Sequence, residues 1–391
     1  MRYAYSWNGF LVMPDDLISF AWSAPMRELA AKAGMSDVGL KKLLASYGVV
    51  APPQGYWNKL RAGKPVPPQP KASARKPGET GRRRVDERFA GLIAPAKPLA
   101  STGPFASPAV PEELGELYAA ELQRIGRAGV PKTLDGAHRA LVPILKQEER
   151  RRQKDIASAW NWDKPKFDNP VAKRRLRILN GIFLALSKRG HDGALNERDG
   201  ELDAHAIIGD TSVGLNIGVL GRHRTVMIQG YTRPAPDLPA STPLVLHLNP
   251  SFDGKSGQSW HDDEDGKLES KIATIAASVI VAGEEGFRRG LREAEERRER
   301  ERIEAEERRR KALDELNRKR VRDLHESGEL LRQAQQIRAL AQRVGDAMTG
   351  QEGIDPAEIE AWQQWALSEA DRLDPILSGQ VLSHLRAPKL N

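Results

Sequence analysis

Two groups of residues in this chain have types and spacings that could do chemistry. The first is Ser36, Asp37, Val38, Lys41, Lys42 and Ser46, at steps that bring side chains onto one side of a helix. Lysines so placed meet phosphates or guanine, and short polar residues at the start of such a helix reach base edges in a major groove. The second is His261-Asp262-Asp263-Glu264-Asp265, followed by Glu269 and Lys271. With Glu201, Asp203 and Asp210, these carboxylates could hold a divalent cation for cleavage of a nucleic acid. Glu269 and Lys271 stand two apart on a predicted helix, hence on different faces, which counts against that pairing. Acids at a helix start are also favoured by the helix dipole without any metal. His261, Asp262 and Asp263 are therefore metal-ligand candidates only in the weaker reading, and the sequence implies no cofactor.

The first group needs a rigid platform, and the residues around it supply one. From Met26 to Ala45 the chain fits a helix-turn-helix. Ala30 falls where the first helix must be thin, and Gly34 where the turn takes a positive φ. Leu29, Ala33, Met35, Leu40 and Leu43 are spaced to share a small core. Ser36 can cap the second helix, with Asp37 behind it at the positive end of the dipole. Upstream, Asp15-Asp16 and then Leu17, Phe20 and Ala21 predict a further helix ending before Pro25, which makes a three-helix unit. The second helix holds no Arg, Asn or Gln, the usual bidentate base readers, so little sequence discrimination is expected from it.

Charge distribution points the same way. Residues 1–84 carry 14 Lys and Arg against 5 Asp and Glu, while the rest of the chain carries 47 against 48. A helical unit that holds the whole basic excess is the footprint of a phosphate-binding module. Downstream, Lys59, Arg61 and Lys64 follow the motif, and Arg82, Arg83 and Arg84 lie in a stretch rich in Pro, Ala and Ser. That stretch, 64–111, reads as an extended basic linker able to follow a phosphate backbone. Tyr56 and Trp57 are expected to fold back on the three helices as a lid.

The run WSAPMRELAAKAGMSDVGLKKLLASYGVVAPPQGYWNKLRAGKP resembles the N-terminal segment of a set of uncharacterised bacterial proteins, in which a helix-turn-helix is followed by PP-x-GYW-x-K. The likeness spans roughly Asp15 to Pro65. It implies a bacterial chain with a DNA-binding start and brings no known activity with it. Gln54 stands where arginine is common in that pattern, and Lys41-Lys42 replace a more apolar pair.

The remaining elements are legible by period. Residues 112–165 predict helices split near Gly129-Val130-Pro131. Residues 166–285 predict an α+β domain: a helix over Val171–Lys188, and strands at Ala204–Ile208, Ser212–Leu220, Thr225–Tyr231 and Leu244–Leu248. A closing helix follows from Lys267 to about Val281, giving a four-stranded antiparallel sheet with helices on one face. Gly221–Arg224 reads as a hairpin turn and Asn249–Gly257 as a loop. Residues 286–348 predict a long charged helix, broken near Gly328 and then a coiled-coil seam of Leu330, Ala334, Ile337, Ala341, Val344 and Met348. Residues 349–391 predict a helical hairpin in which Trp362 and Trp365 pack back. The expected class is mainly α with a central α+β domain and an N-terminal three-helix module at residues 1–63.

No P-loop, G-x-S-x-G or H-E-x-x-H pattern occurs, and the chain has no cysteine, which excludes thiolate metal sites and a cysteine nucleophile. No apolar run reaches the roughly 20 residues of a membrane span, and no signal-peptide cleavage site stands out, so a cytoplasmic location is expected. The sequence reading is a bacterial protein that binds double-stranded DNA and regulates transcription or serves a mobile element or phage defence. Its C-terminal helices would make it a homodimer, and the central α+β domain would take an unidentified ligand or protein partner. Two alternatives stand beside it: a metal-dependent nuclease using residues 261–265, and a structural adaptor with a helical spacer.

Overall fold

The computed structural model describes residues 9–157, 164–198, 200–228, 231–249, 257–348, 353 and 355–387. They form two compact units, one up to Glu293 and one from Ala294. Most of the expected loop at Asn249–Gly257 lies outside the described residues.

The first unit opens with β1 (Gly9–Val12), then α1 (Pro14–Ala21), α2 (Met26–Lys32), α3 (Asp37–Ser46) and the short α4 (Tyr56–Arg61). β2 (Arg83–Asp86) returns to pair antiparallel with β1, in the register Phe10 to Val85. The stretch 64–111 is therefore no free tether. Val85, Phe89 and Ile93, at steps of four, are buried in one core with Leu17, Phe20, Leu29, Leu40 and Leu44. Phe89 meets Phe20 edge-on at 5.6 Å. Composition misleads here because three isolated apolar residues are enough to anchor a Pro-rich strap once another element offers a core.

The same strap is anchored to the next domain by a buried ionic cluster. Arg75 grips both oxygens of Glu284 (3.0 and 2.7 Å) and donates to the carbonyls of Phe105 and Glu79. Gly78 N–H and Arg288 Nε bond the same carboxylate at 2.8 Å each. Arg288 also donates to the carbonyls of Glu112 and Pro111 and stacks on Phe105. Gly78, at φ +76°, lies so close to Ile208 that a Cβ would sit 2.1 Å from its carbonyl oxygen.

Next come α5 (Leu114–Ile125), α6 (Val142–Ala157) and α7 (Pro170–Lys188), and then β3 (Asp192–Arg198), β4 (Glu201–Ile208) and β5 (Thr211–Val219). They are followed by β6 (Thr225–Ile228), β7 (Tyr231–Pro234), β8 (Leu244–Asn249), β9 (Ser259–His261) and α8 (Ile272–Met348). Five strands, in the order β3-β4-β5-β8-β9, form one antiparallel sheet. Alternate strand residues, among them Ala206, Val213, Leu215 and Leu246, share a core with Ile178, Ile182 and Phe183 of α7 and with Ile275, Val279 and Ile280 of α8.

The sheet corrects the predicted four strands in three ways, the first being the short added strand β9. β3 is polar apart from Gly193, Ala194 and Leu195, so it carries little alternation, and its Gly193 lies against the Phe183 ring, where a Cβ would fall 2.4 Å away. Residues 225–228 and 231 do not join this sheet. β6 pairs with β7 instead, and β5 pairs with β8, so the expected hairpin turn at 221–224 links no two neighbouring strands of it.

In the second unit α8 continues without the predicted break at Gly328, and α9 (Pro356–Leu373) and α10 (Leu382–Leu385) follow. Ala334 and Ala341 of the predicted seam are buried, as are Ala366 and Ala370 of α9. Gln363 donates to the carbonyl of Ala341, and Arg338 bridges Asp371 and Asp374. The chain's own α9 thus takes up the seam expected to face a second copy. Trp362 is half-buried, but Trp365 is 60% exposed and does not pack back. No helix among the described residues is long and apolar enough to cross a membrane.

Burial by itself would raise the Glu284 carboxyl, but the bonds from Arg75, Gly78 and Arg288 outweigh it and hold the group below the ordinary value. Its contribution is complete above the unfolded-state value of about 4.3 and is lost as pH falls through the lower folded value. Glu284→Gln leaves two guanidinium groups without their charge partner and should cost about 3–5 kcal/mol in urea unfolding at pH 7. The deficit should shrink toward pH 3, and a loss under 1 kcal/mol at pH 7 would count against the cluster.

Candidate nucleic-acid interface

The turn between α2 and α3 has the local features the motif needs. Ala30 is almost wholly buried at the crossing, and Gly34 has φ +64°. Ser36 caps α3, its Oγ accepting from Gly39 N–H at 3.1 Å, with Asp37 in the first turn. Leu29, Ala33, Leu40 and Leu44 are buried, whereas Met35 and Leu43 are half-buried. Leu44, four residues after Leu40, takes the core position that the sequence reading gave to Leu43.

This packing leaves the other side of α3 clear. Ser36, Asp37, Val38, Lys41, Lys42 and Ser46 are all exposed, Val38 at 59%. Ser46 Oγ is turned back to the carbonyl of Leu43 at 2.6 Å. Tyr56 meets Trp22 edge-on at 5.1 Å, and Trp57 meets Tyr56 at 5.2 Å, so the aromatic pair packs beside α1 and leaves the lysines uncovered. Lys59 and Arg61 on α4, and Lys64 beyond it, are exposed. Exposed Arg27 and Lys32 on α2 were missed. Their signal was present in the sequence, as basic residues outside the apolar stripe of that helix.

The arginine run 82–84 behaves differently from the free arm expected of it. Arg82 is partly buried and donates to the carbonyls of Lys97 (2.8 Å) and Thr80 (2.7 Å). Burial, together with the nearby charge of Arg75, makes it less basic than a free arginine. Arg84 staples the ribbon by donating to Gly9 O at 2.9 Å. Arg83 is exposed on β2.

The acidic run does not form a cation site. Asp262 Oδ1 accepts from Leu268 N–H at 2.8 Å and Oδ2 from Leu244 N–H at 3.0 Å. Arg174, only 3% exposed, bridges Asp262 to Glu269, taking both oxygens of Glu269 at 2.7 Å. Burial pushes the Asp262 carboxyl up, and Arg174 with the two backbone donors brings it below its ordinary value. Asp263 pairs with Lys271, and His261 is exposed. Glu201 pairs with Arg175 and Asp203 with His205, while Asp210 is exposed. A guanidinium and an ammonium thus occupy the places a metal would need. Among the described residues no cluster of three metal-ligating side chains occurs.

Comparison of the chain with known protein families, with curated proteins and with solved structures finds no match.

Asp262→Ala takes one of two carboxylates from the buried Arg174 and the acceptor from the Leu244 and Leu268 N–H groups, and should lower stability by about 3–5 kcal/mol. Millimolar Mg²⁺ or Mn²⁺ should leave the melting temperature of the unsubstituted chain unchanged. A metal-dependent rise that vanishes in Asp262→Ala would restore the metal reading.

Proposed function

We propose that this chain binds double-stranded DNA through the outward side of α3 and acts as a regulator of transcription in a bacterium. The observation that carries the reading is the division of labour within α3. Leu40 and Leu44 hold it in a core, while Lys41, Lys42 and the capped N-terminal residues stay exposed. A helix held by one side and offering cations and short polar groups on the other suits entry into a major groove. Lys59, Arg61, Lys64, Arg27 and Lys32 add phosphate partners near it in sequence. Because α3 offers no bidentate base reader, most of the affinity comes from phosphates and little from base identity.

Pairing of two copies would supply the missing discrimination, since two recognition helices read two half-sites. Support comes from apolar side chains left exposed on α8, namely Leu313, Leu316, Val321 and Leu324, rather than from the seam that α9 fills.

Lys41→Ala with Lys42→Ala should abolish the gel shift of a 30-base-pair duplex at 150 mM salt. At lower salt it should reduce the slope of log K against log salt by about two. Unchanged affinity and slope would remove α3 from the interface. Light scattering should give a mass of about twice 43.3 kDa at micromolar concentration, and a monomer throughout would refute pairing.

A further inference from the structure

The α+β domain contains a cavity of about 470 Å³ between the start of α7, the β3–β4 turn and the end of β7. Its walls are largely apolar, with Phe167, Val171, Pro234 and Pro236 among them, and Lys164, Lys166 and Glu201 are charged residues of the lining. Arg175 also lines it. That arginine departs from the pattern of the buried arginines around it. Arg174, its neighbour, is saturated by Glu269, Asp262 and the carbonyl of Thr242. Arg75 and Arg288 are equally well provided.

Arg175 has a side chain only 15% exposed, yet its single ion pair is a 3.3 Å contact from Nη2 to Glu201, a residue that is itself 46% exposed. Among the described residues, Arg175 Nε is the one buried side-chain nitrogen or oxygen with no hydrogen-bond partner. A buried guanidinium nitrogen without an acceptor is costly, and such groups in native proteins have a reason to be there. Here the residue that carries the unmet donor lines a cavity of the size small-molecule sites occupy, beside two further cations, Lys164 and Lys166.

We infer that this cavity binds a small molecule with an apolar body and one oxyanion group, a carboxylate or a phosphate monoester, held by Arg175. Arg presents paired donors that match either group, and the Glu201 contact is weak enough to give way to it. The apolar walls accept the body of the ligand and exclude inorganic anions as the main occupant. Such a site would make the central domain a ligand-responsive part of the chain, independent of whether α3 binds DNA.

The test is calorimetric titration of the full chain with benzoate and with phenyl phosphate, using benzyl alcohol and inorganic phosphate as the halves of the probe. Saturable binding of at least one aromatic anion is expected, at least tenfold tighter than either half. The preferred anion identifies carboxylate or phosphate as the group recognised. Arg175→Gln should weaken that binding at least tenfold, and Arg177→Gln, two positions along α7 and outside the cavity lining, should not. Arg175→Gln should also melt at the same temperature as the parent or higher, because it removes an unsatisfied donor. Absence of saturable binding by both anions, equal binding by Arg175→Gln, or a large drop in its melting temperature would each overturn the assignment.

Discussion

One buried carboxylate holds the first unit in order. Glu284 is fully enclosed and receives Arg75, Arg288 and a backbone N–H at once. In a low-dielectric interior such a group is tolerable only when every oxygen is matched, and here it is. The geometry ties residues 75–78 and 105–112 to the first turns of α8, and it fixes the strap that runs on to β2. Val85, Phe89 and Ile93 then complete the core under the three helices. The platform beneath α3 is therefore closed by residues 85–93, far downstream of it, in a stretch whose composition suggests no fold of its own.

The structure sorts the basic residues into two classes, and this sorting underlies the functional reading. Arg75, Arg82, Arg174, Arg189 and Arg288 are committed to carboxylates and carbonyls inside the molecule. Lys41, Lys42, Lys59, Arg61 and Lys64 stay on the surface. Net charge alone could not separate them. The same sorting disposes of the most suggestive acidic motif: Arg174 turns Asp262 and Glu269 into half of an ion-pair network that joins α7 to the β9–α8 connection.

What the sequence made legible follows from how local each signal was. The turn glycine at Gly34, the Ser36 cap and the clear side of α3 depend on neighbours within one or two turns, and all three could be read directly. The α7 stripe and the strands β4, β5 and β8 have strong periods and were equally plain. β3 was hidden because its two adjacent apolar residues, Ala194 and Leu195, beside Gly193 give no alternation, and its place is set by the ring of Phe183 across the core. The continuity of α8 through Gly283 was hidden for a similar reason. There the helix crosses so near Ile208 that a Cβ would fall 2.5 Å from it, so the glycine serves close packing rather than a break. The fate of the arginines was the least legible, because each partner is supplied by a distant element.

The central claim is that the outward side of α3 is the surface that meets a duplex. Hydrogen–deuterium exchange of the full chain, with and without a 30-base-pair duplex at low salt, tests it most directly. The account predicts slowed exchange at residues 36–46 on adding DNA, with residues 330–348 unchanged. Unaltered exchange across 36–46, with DNA bound and protection arising elsewhere, would contradict it.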